Sequence, residues 1–195
     1  MTKTAFVLGN GTSRSSIELP QLKDHGVIYG CNALFREFAA DYLVAVDTKM
    51  VIEINKTDYQ RTNNVWTNPN RAYNSFVGFE YFRPSKGWSS GPTALWLAST
   101  HDTQDIYIIG FDYKGTTDDK INNIYADTSN YKKSIEKATF HGNWLNQTII
   151  TCQKFPQKRY IRVLGDNPFI PKEFSKVENL SHITIEEFKK SFNLL

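Results

Sequence analysis

The stretch AFVLGNGTSR, residues 5–14, places an apolar run directly before two glycines and an asparagine. Such a run is typical of a strand that is buried on both faces of a parallel sheet. The turn that follows, Gly9-Asn10-Gly11, fits a tight strand-to-helix connection that needs the conformational freedom of glycine. It equally fits a loop that brings backbone N–H groups to a phosphate beside a helix N-terminus. The stretch alone leaves both interpretations open.

The loop lacks the fingerprints that would decide between these interpretations. Arg14 stands where a dinucleotide-binding motif has its third glycine, and no Gly-Lys-Ser/Thr follows as in a P-loop. The loop therefore predicts a ligand site only in combination with the rest of the fold.

The remainder of the chain alternates short apolar runs with helical patterns. Strands are predicted at 4–9, 26–30, 42–46, 64–67, 105–110 and 159–164. Helices are predicted at about 15–24, 33–39, 48–55, 91–101 and 139–154. The alternation predicts an α/β fold, with residues 1–195 forming a single Rossmann-like domain that is doubly wound around a mostly parallel sheet.

Two further segments have patterns of their own. Residues 114–131 are polar and rich in turn residues, which predicts a lid-like loop beside a site. Thr184 and Glu187 have capping-box spacing ahead of Phe188 and Phe192, which predicts a C-terminal helix within 182–195.

Composition narrows the classes of partner and compartment. The net charge of +3 comes without any Lys/Arg run longer than two residues, which argues against a nucleic-acid-binding face. Cys31 and Cys152 lie in apolar surroundings and are predicted to be reduced core residues. No apolar run is long enough for a signal peptide or a membrane span, so we expect a cytoplasmic protein. The sequence leaves its oligomeric state open.

Polar residues follow several of the predicted strands. Because the carboxyl ends of parallel strands meet at one edge of a sheet, such residues are expected to line one ligand cleft. Asn and Ser side chains there suit a nucleobase and a ribose, although Asn32 and Asp47 also fit helix caps. The predicted nucleotide-binding residues are Gly9, Asn10, Gly11, Asn32, Asp47, Ser89, Ser90, Gly91 and Asp112.

The motifs at these strand ends resemble those of the bacterial lipooligosaccharide sialyltransferases. GNGTS, CN, SSG and GFDY stand in the order of the GNGPS, CN, TSG and GIDFY motifs of that family. The segment 123–128, NIYADT, resembles the family's SYAFDT, and His141 resembles a family histidine at the start of a helix. The resemblance covers roughly residues 4–165.

The resemblance implies a metal-independent inverting transferase that uses a cytidine monophosphate sugar, with no other cofactor. It implies that Asn10, Asn32 and Ser90 bind the nucleotide and that Tyr125 hydrogen-bonds the phosphate. It also implies that His141 is the general base that deprotonates the hydroxyl of a glycan acceptor. A neutral imidazole and a phenol are suited to these roles. The sequence contains no HExxH motif, Cys/His cluster or DxD pair that would bind a metal ion.

Two positions depart from the family pattern. Tyr113 falls at the Phe of the GIDFY motif, and Lys114 at its phosphate-binding Tyr, where a lysine would neutralise phosphate as a point charge. Gly87, with Lys86 beside it, stands where the family has an arginine for the sugar carboxylate. We therefore include Tyr113 and Lys114 among the candidate catalytic residues and leave the donor sugar open.

Two other classes of function fit the same motifs. A Rossmann-like pyrophosphokinase would need a divalent ion, for which Asp47 and Asp112 are the candidate ligands at this edge. A non-catalytic nucleotide-binding module, of viral or defence context, would keep the loop glycines without turnover.

Overall fold

All strands of the computed structural model, which describes residues 3–194, belong to one parallel sheet of eight strands. The strands are β1 Thr4–Leu8, β2 Val27–Cys31, β3 Tyr42–Val44, β4 Val65–Thr67, β5 Phe79–Tyr81, β6 Asp105–Ile109, β7 Arg159–Leu164 and β8 Leu180–Thr184. Their order in the sheet is β5-β4-β3-β2-β1-β6-β7-β8.

Strand β1 lies at the point where the winding of the sheet reverses. The chain runs outward from β1 through β2 to β5, and then returns to add β6 on the other side of β1. Leu8 is paired with Gly30 of β2 and with Ile109 of β6. The loops that follow β1 and β6 therefore leave the sheet side by side, at the switch point where open α/β sheets bind ligands.

Helices cover both faces of the sheet. They are α1 Thr48–Lys56, α2 Ser90–Thr100, α3 Gly142–Lys154 and α4 Ile185–Ser191. Phe6 and Leu8 face a core that includes residues of α1 and α4, whereas Ala5 and Val7 face a core that includes residues of α2 and α3. These four of the five β1 residues are fully buried, as continuous apolar strands in a doubly wound sheet should be. The Rossmann-like fold class is confirmed.

The predicted elements differ from the structure where the sequence pattern is weakest. Strands β5 and β8 were not predicted, because β5 has only three residues and β8 carries the polar pair Ser181-His182. The helices predicted at 15–24 and 33–39 are short 3₁₀ segments, Leu19–Asp24 and Asn32–Arg36. Within the predicted C-terminal helix, α4 begins only at Ile185, because the preceding residues pair with β7.

The start of α4 has the predicted capping box. The Glu187 N–H donates to Thr184 Oγ1 at 3.1 Å, and the Thr184 N–H donates to Glu187 Oε2 at 2.8 Å. These two bonds satisfy two N–H groups at the helix start that have no intrahelical acceptor. Phe188 of the helix and Phe192 just after it pack against Phe6 of β1, with ring centroids 6.0 and 5.2 Å from the Phe6 centroid.

Within residues 3–194, none of the helices combines the length and the apolar character that crossing a membrane requires.

Candidate functional site

The two glycines after β1 allow its loop to touch the loop after β6. The Gly9 N–H donates to the Ile109 carbonyl at 2.7 Å, and the Gly11 N–H donates to the Gly110 carbonyl at 2.9 Å. A Cβ atom on Gly9 would lie 2.5 Å from the Gly110 carbonyl oxygen, and one on Gly11 would collide with the Asp112 carboxylate. The glycines therefore serve a close backbone approach, and both of their N–H groups already have protein partners.

A cavity of about 250 Å³ lies beyond this contact and is called the smaller cavity here. All nine predicted nucleotide-binding residues line it, as do Tyr113 and Lys114. The rim that was expected from the strand ends therefore exists, and it includes the first turn of α2.

Asn32 and Asp47 provide the most distinctive polar groups of the smaller cavity. Asn32 has a left-handed backbone with φ of +50°, a conformation that costs energy in most residues. Its Oδ1 atom is buried and accepts no hydrogen bond from any residue of 3–194. Burial raises the pKa of Asp47, and a hydrogen bond with Asn32 opposes that rise. A ligand hydroxyl or amino group would satisfy the Asn32 oxygen.

Ser90 and Ser89 stand where α2 meets the smaller cavity. The Ser90 hydroxyl accepts a hydrogen bond from the Val46 N–H at 3.0 Å, and the Ser89 N–H donates to Gln147 at 3.2 Å. Ser90 is 2% exposed. These bonds fix the start of α2 against the loop after β3 and against α3, so this wall of the cavity is preorganised.

Tyr113 and Lys114 have different positions although they are adjacent. Tyr113 is 3% exposed, and its hydroxyl is 2.7 Å from Thr148 Oγ1 of α3. Tyr113 forms part of the cavity wall, and burial raises the pKa of its hydroxyl, which is therefore neutral. The Lys114 ammonium instead donates to the Asn167 carbonyl at the cavity edge. Of the two, Lys114 is the residue placed to meet an anionic ligand.

Tyr125 lies behind the loop after β1 and lines neither of the two cavities described here. Its hydroxyl donates to Glu37 and accepts from the Arg14 guanidinium at 2.9 Å. Arg14 also donates from Nε to the Gly9 carbonyl at 2.8 Å. Burial, followed by the hydrogen bond with Glu37, raises the pKa of Tyr125. In this arrangement Tyr125 holds the loop in place, and its hydrogen bonds to protein groups leave the phosphate role a prediction.

His141 stands at the N-cap of α3 and makes no capping hydrogen bond through its side chain. Its ring stacks with Phe140 at 6.1 Å and meets the edge of Phe169 at 5.8 Å between centroids. His141 is absent from the lining of the smaller cavity, whereas Trp144, in the first turn of the same helix, is part of it. His141 therefore lies outside this cavity, and it does not line the cavity that adjoins it either.

A larger cavity of about 610 Å³ adjoins the smaller one. Both are lined by Asp112, Lys114 and Asn122. Phe169 lines the larger cavity, so the ring that His141 touches belongs to this second space. The two cavities together form a cleft across the ends of β1 and β6, with Lys114 at the boundary.

The loop predicted to be a lid is docked onto the loop after β1. Asn122 Oδ1 accepts hydrogen bonds from the Thr12 N–H at 2.9 Å and from the Thr12 hydroxyl at 2.7 Å. The Ile124 N–H donates to the Asn10 carbonyl at 2.9 Å, and the Tyr131 hydroxyl accepts from the Asn10 amide at 3.2 Å. The loop thus closes one side of the smaller cavity through a few polar contacts.

We predict that a bound nucleotide strengthens this docking. Limited proteolysis within residues 114–131 should slow when the nucleotide is added, because ligand contacts reduce local opening. Cleavage in the exposed segment 83–85, which has no part in the cavities, is the control and should keep its rate. Equal cleavage of 114–131 with and without a tightly bound nucleotide would contradict a lid.

Several residues of the site carry no motif that sequence reasoning could use. Asn122 and Trp144 line the smaller cavity, and Arg14 is buried beneath it. In the sequence, Arg14 is notable only because it interrupts a glycine motif, and Asn122 stands in a polar segment without periodicity. Their roles come from long-range contacts, which a single sequence does not encode locally.

Cys31 and Cys152 are both buried and unpaired with each other. Among residues 3–194, no group of three or more His, Cys, Asp or Glu side chains is arranged to hold a metal ion. Metal independence of the reaction stays a prediction.

Comparisons of the chain with protein-family models, with curated proteins and with solved structures found no match. The resemblance to the sialyltransferases therefore stays a hypothesis that the motifs carry.

Proposed function

We propose that the chain is a metal-independent inverting glycosyltransferase that takes its sugar from a nucleotide donor, in the first place a cytidine monophosphate sugar. The observation that carries the proposal is the convergence of the strand-end residues on one cavity at the switch point. Five strand ends or helix starts supply polar groups to that space.

The chemistry of the smaller cavity fits a nucleotide sugar. Its polar side chains include amides, hydroxyls and the carboxylates of Asp47 and Asp112, which can hydrogen-bond to a base or to sugar hydroxyl groups. The buried oxygen of Asn32 has no partner among residues 3–194 and would accept a hydrogen bond from a ligand. The cavity has a volume of about 250 Å³ and would hold only part of the nucleotide sugar, so the rest of the donor would extend over Lys114.

The transfer step uses Lys114 and His141. The imidazole of His141 takes the proton of an acceptor hydroxyl, whose oxygen then forms a bond to the anomeric carbon of the sugar. The bond from that carbon to the phosphate oxygen breaks, and the nucleoside monophosphate leaves with the electron pair. The Lys114 ammonium, at the boundary of the two cavities, faces the negative charge that develops on the phosphate.

The arginine that the family uses for the sugar carboxylate has no counterpart at its position in this chain. Gly87, at the family's arginine position, has a φ of +64°, and a Cβ atom there would meet no other atom within 4 Å. The neighbouring Lys86 has its ammonium 3.3 Å from the centroid of the Trp96 ring. That lysine packs on α2 as a cation on an aromatic face. The proposal therefore specifies the nucleotide and leaves the sugar unspecified.

Release of the nucleotide from a donor tests this proposal. The full chain should release cytidine monophosphate from a cytidine monophosphate sugar, and a chelator should leave the rate unchanged. The Lys114→Met variant should lower that rate about tenfold or more, because a charge-assisted contact to the leaving phosphate is lost. Turnover of purine nucleotides only with magnesium would favour the pyrophosphokinase instead. Tight nucleotide binding without any turnover would favour the binding module.

A further inference from the structure

We propose that Tyr131, at the end of the loop 114–131, is a positioning residue for the nucleotide site, and that an ion pair between Arg36 and Glu53 latches it in place. The inference rests on the proposed function, because the site concerned is the one assigned to the nucleotide. Tyr131 does not itself line the smaller cavity. It acts on that cavity through two asparagines that do.

The Tyr131 hydroxyl joins the ends of two strands. It accepts hydrogen bonds from the Asn10 amide at 3.2 Å and from the Ala33 N–H at 3.3 Å. Asn10 belongs to the loop after β1, and Ala33 comes directly after Asn32, which follows β2. One hydroxyl thus holds the side chain of one cavity asparagine and the backbone beside the other.

Both asparagines depend on such a support. The Asn10 amide oxygen accepts from the Cys31 thiol at 3.8 Å, so the bond to Tyr131 leaves this amide held at both ends. Asn32 has a left-handed backbone, which persists only where the surroundings hold it. The bond from the Ala33 N–H to Tyr131 fixes the peptide that follows this residue. Loss of one hydroxyl would therefore loosen two residues that line the cavity.

An ion pair outside the loop holds the residues just before Tyr131 and is called the latch here. Arg36 donates from Nε and Nη2 to the two carboxylate oxygens of Glu53, at 2.7 and 2.8 Å. It also donates from Nη1 to Thr128 Oγ1 and from Nη2 to the Ser129 carbonyl, both at 2.8 Å. The Asn130 amide donates to Glu53 at 2.6 Å. The two parallel bonds between guanidinium and carboxylate make this a strong and directional pair.

The latch also contacts the tyrosine ring. The guanidinium carbon of Arg36 is 5.7 Å from the centroid of the Tyr131 ring, as in a cation that lies over an aromatic face. The side chains of Arg36 and Glu53 are each 23% exposed, so water competes for the pair only in part. Opening the latch would release the end of the loop and withdraw Tyr131 from the asparagines. Loop opening and loss of the binding arrangement are then one event.

Isothermal titration of the full chain with cytidine monophosphate tests the role of Tyr131 through Tyr131→Phe, which removes only the hydroxyl. Affinity should fall about tenfold, because the bonds that preorganise the site are lost. In an Asn10→Ala background the same substitution should cost about threefold or less, because part of its effect passes through the Asn10 amide. Tyr81→Phe is the matched control. Its hydroxyl is buried without a partner among residues 3–194, on β5 at the edge of the sheet, and its loss should leave affinity unchanged.

Arg36→Lys tests the latch, because an ammonium group cannot make the two parallel bonds to Glu53. Limited proteolysis within 114–131 should run about threefold faster or more in this variant without nucleotide, since the end of the loop opens more often. Arg61→Lys is the matched control. Arg61 pairs at 2.6 Å with the nearby Asp58 at the surface, and its variant should be cut at the rate of the unchanged chain. Equal cleavage of Arg36→Lys and the unchanged chain would overturn the latch.

The positioning role is overturned, with the proposed function left standing, if Tyr131→Phe binds the nucleotide as tightly as the unchanged chain. A loss of affinity that is the same with and without the Asn10 side chain also overturns it, because a merely structural tyrosine would behave in this way. Absence of binding by the unchanged chain contradicts the proposed function instead. Amide hydrogen exchange at Ala33 in the nucleotide-free chain then decides the rest: faster exchange in Tyr131→Phe supports the contact, and unchanged exchange overturns it.

Discussion

Replacing His141 by alanine is expected to lower sugar transfer by a factor of about 10²–10⁴, the usual contribution of a general base. Nucleotide affinity should stay nearly unchanged, because His141 is absent from the lining of the smaller cavity. The side chain makes no capping bond to α3, so the folded state should lose little stability. Initial rates at saturating donor, together with a nucleotide titration, measure both effects.

His25→Ala is the matched control for this substitution. His25 precedes β2, at the opposite end of the strands from the cleft, and its ring packs against Phe192. The His25 variant should transfer sugar at the rate of the unchanged chain. Transfer that survives His141→Ala would show that the residue carried over from the family is not the base. A loss of transfer accompanied by unfolding would show that His141 serves the packing of α3.

Replacing Gly9 by alanine is expected to lower the free energy of unfolding by about 3 kcal/mol, the upper part of the usual range for overpacked sites. The new Cβ would lie 2.5 Å from the Gly110 carbonyl oxygen and 2.7 Å from the Phe111 ring. The carbonyl belongs to the loop after β6 and cannot move without disturbing the switch point. A fall in the melting temperature of about 6–12 °C should result, since 1 kcal/mol shifts a domain of this size by roughly 2–4 °C.

Gly87→Ala separates this steric effect from the conformational cost of losing a glycine. Gly87 has a φ of +64°, but a Cβ there would have no atom within 4 Å. Only the strain of a left-handed backbone remains, about 1–2 kcal/mol. A loss at Gly87 equal to or greater than that at Gly9 would contradict the close approach of the two loops.

The sequence predicted the sheet and the rim of its cleft because both depend on local patterns. Continuous apolar runs identified β1 and β6, and the polar residues after each run had to meet once the strands were parallel. The strands β5 and β8 lacked that signal, since one has three residues and the other is half polar. Their place in the sheet depends on neighbouring strands.

The use of individual groups within the cleft could not be predicted in the same way. The glycine loop suggested N–H groups for phosphate, whereas the Gly9 and Gly11 N–H groups donate to carbonyls of β6 and its loop. The motif around Tyr125 implied a phosphate contact, whereas its hydroxyl bonds to Arg14 and Glu37. These pairings join residues far apart in the chain, so neither spacing nor composition could reveal them.

Isothermal titration with cytidine monophosphate tests the central claim, that a nucleotide binds in the smaller cavity, most directly. The unchanged chain should bind it without added metal. Asn32→Gly should weaken binding about tenfold, because it removes the side chain whose buried oxygen has no partner, while glycine accepts the positive φ. Asn193→Gly, at a φ of +53° on the exposed end of α4, is the matched control and should bind as before. Absence of binding, or equal affinity of the Asn32→Gly variant and the unchanged chain, would contradict the account.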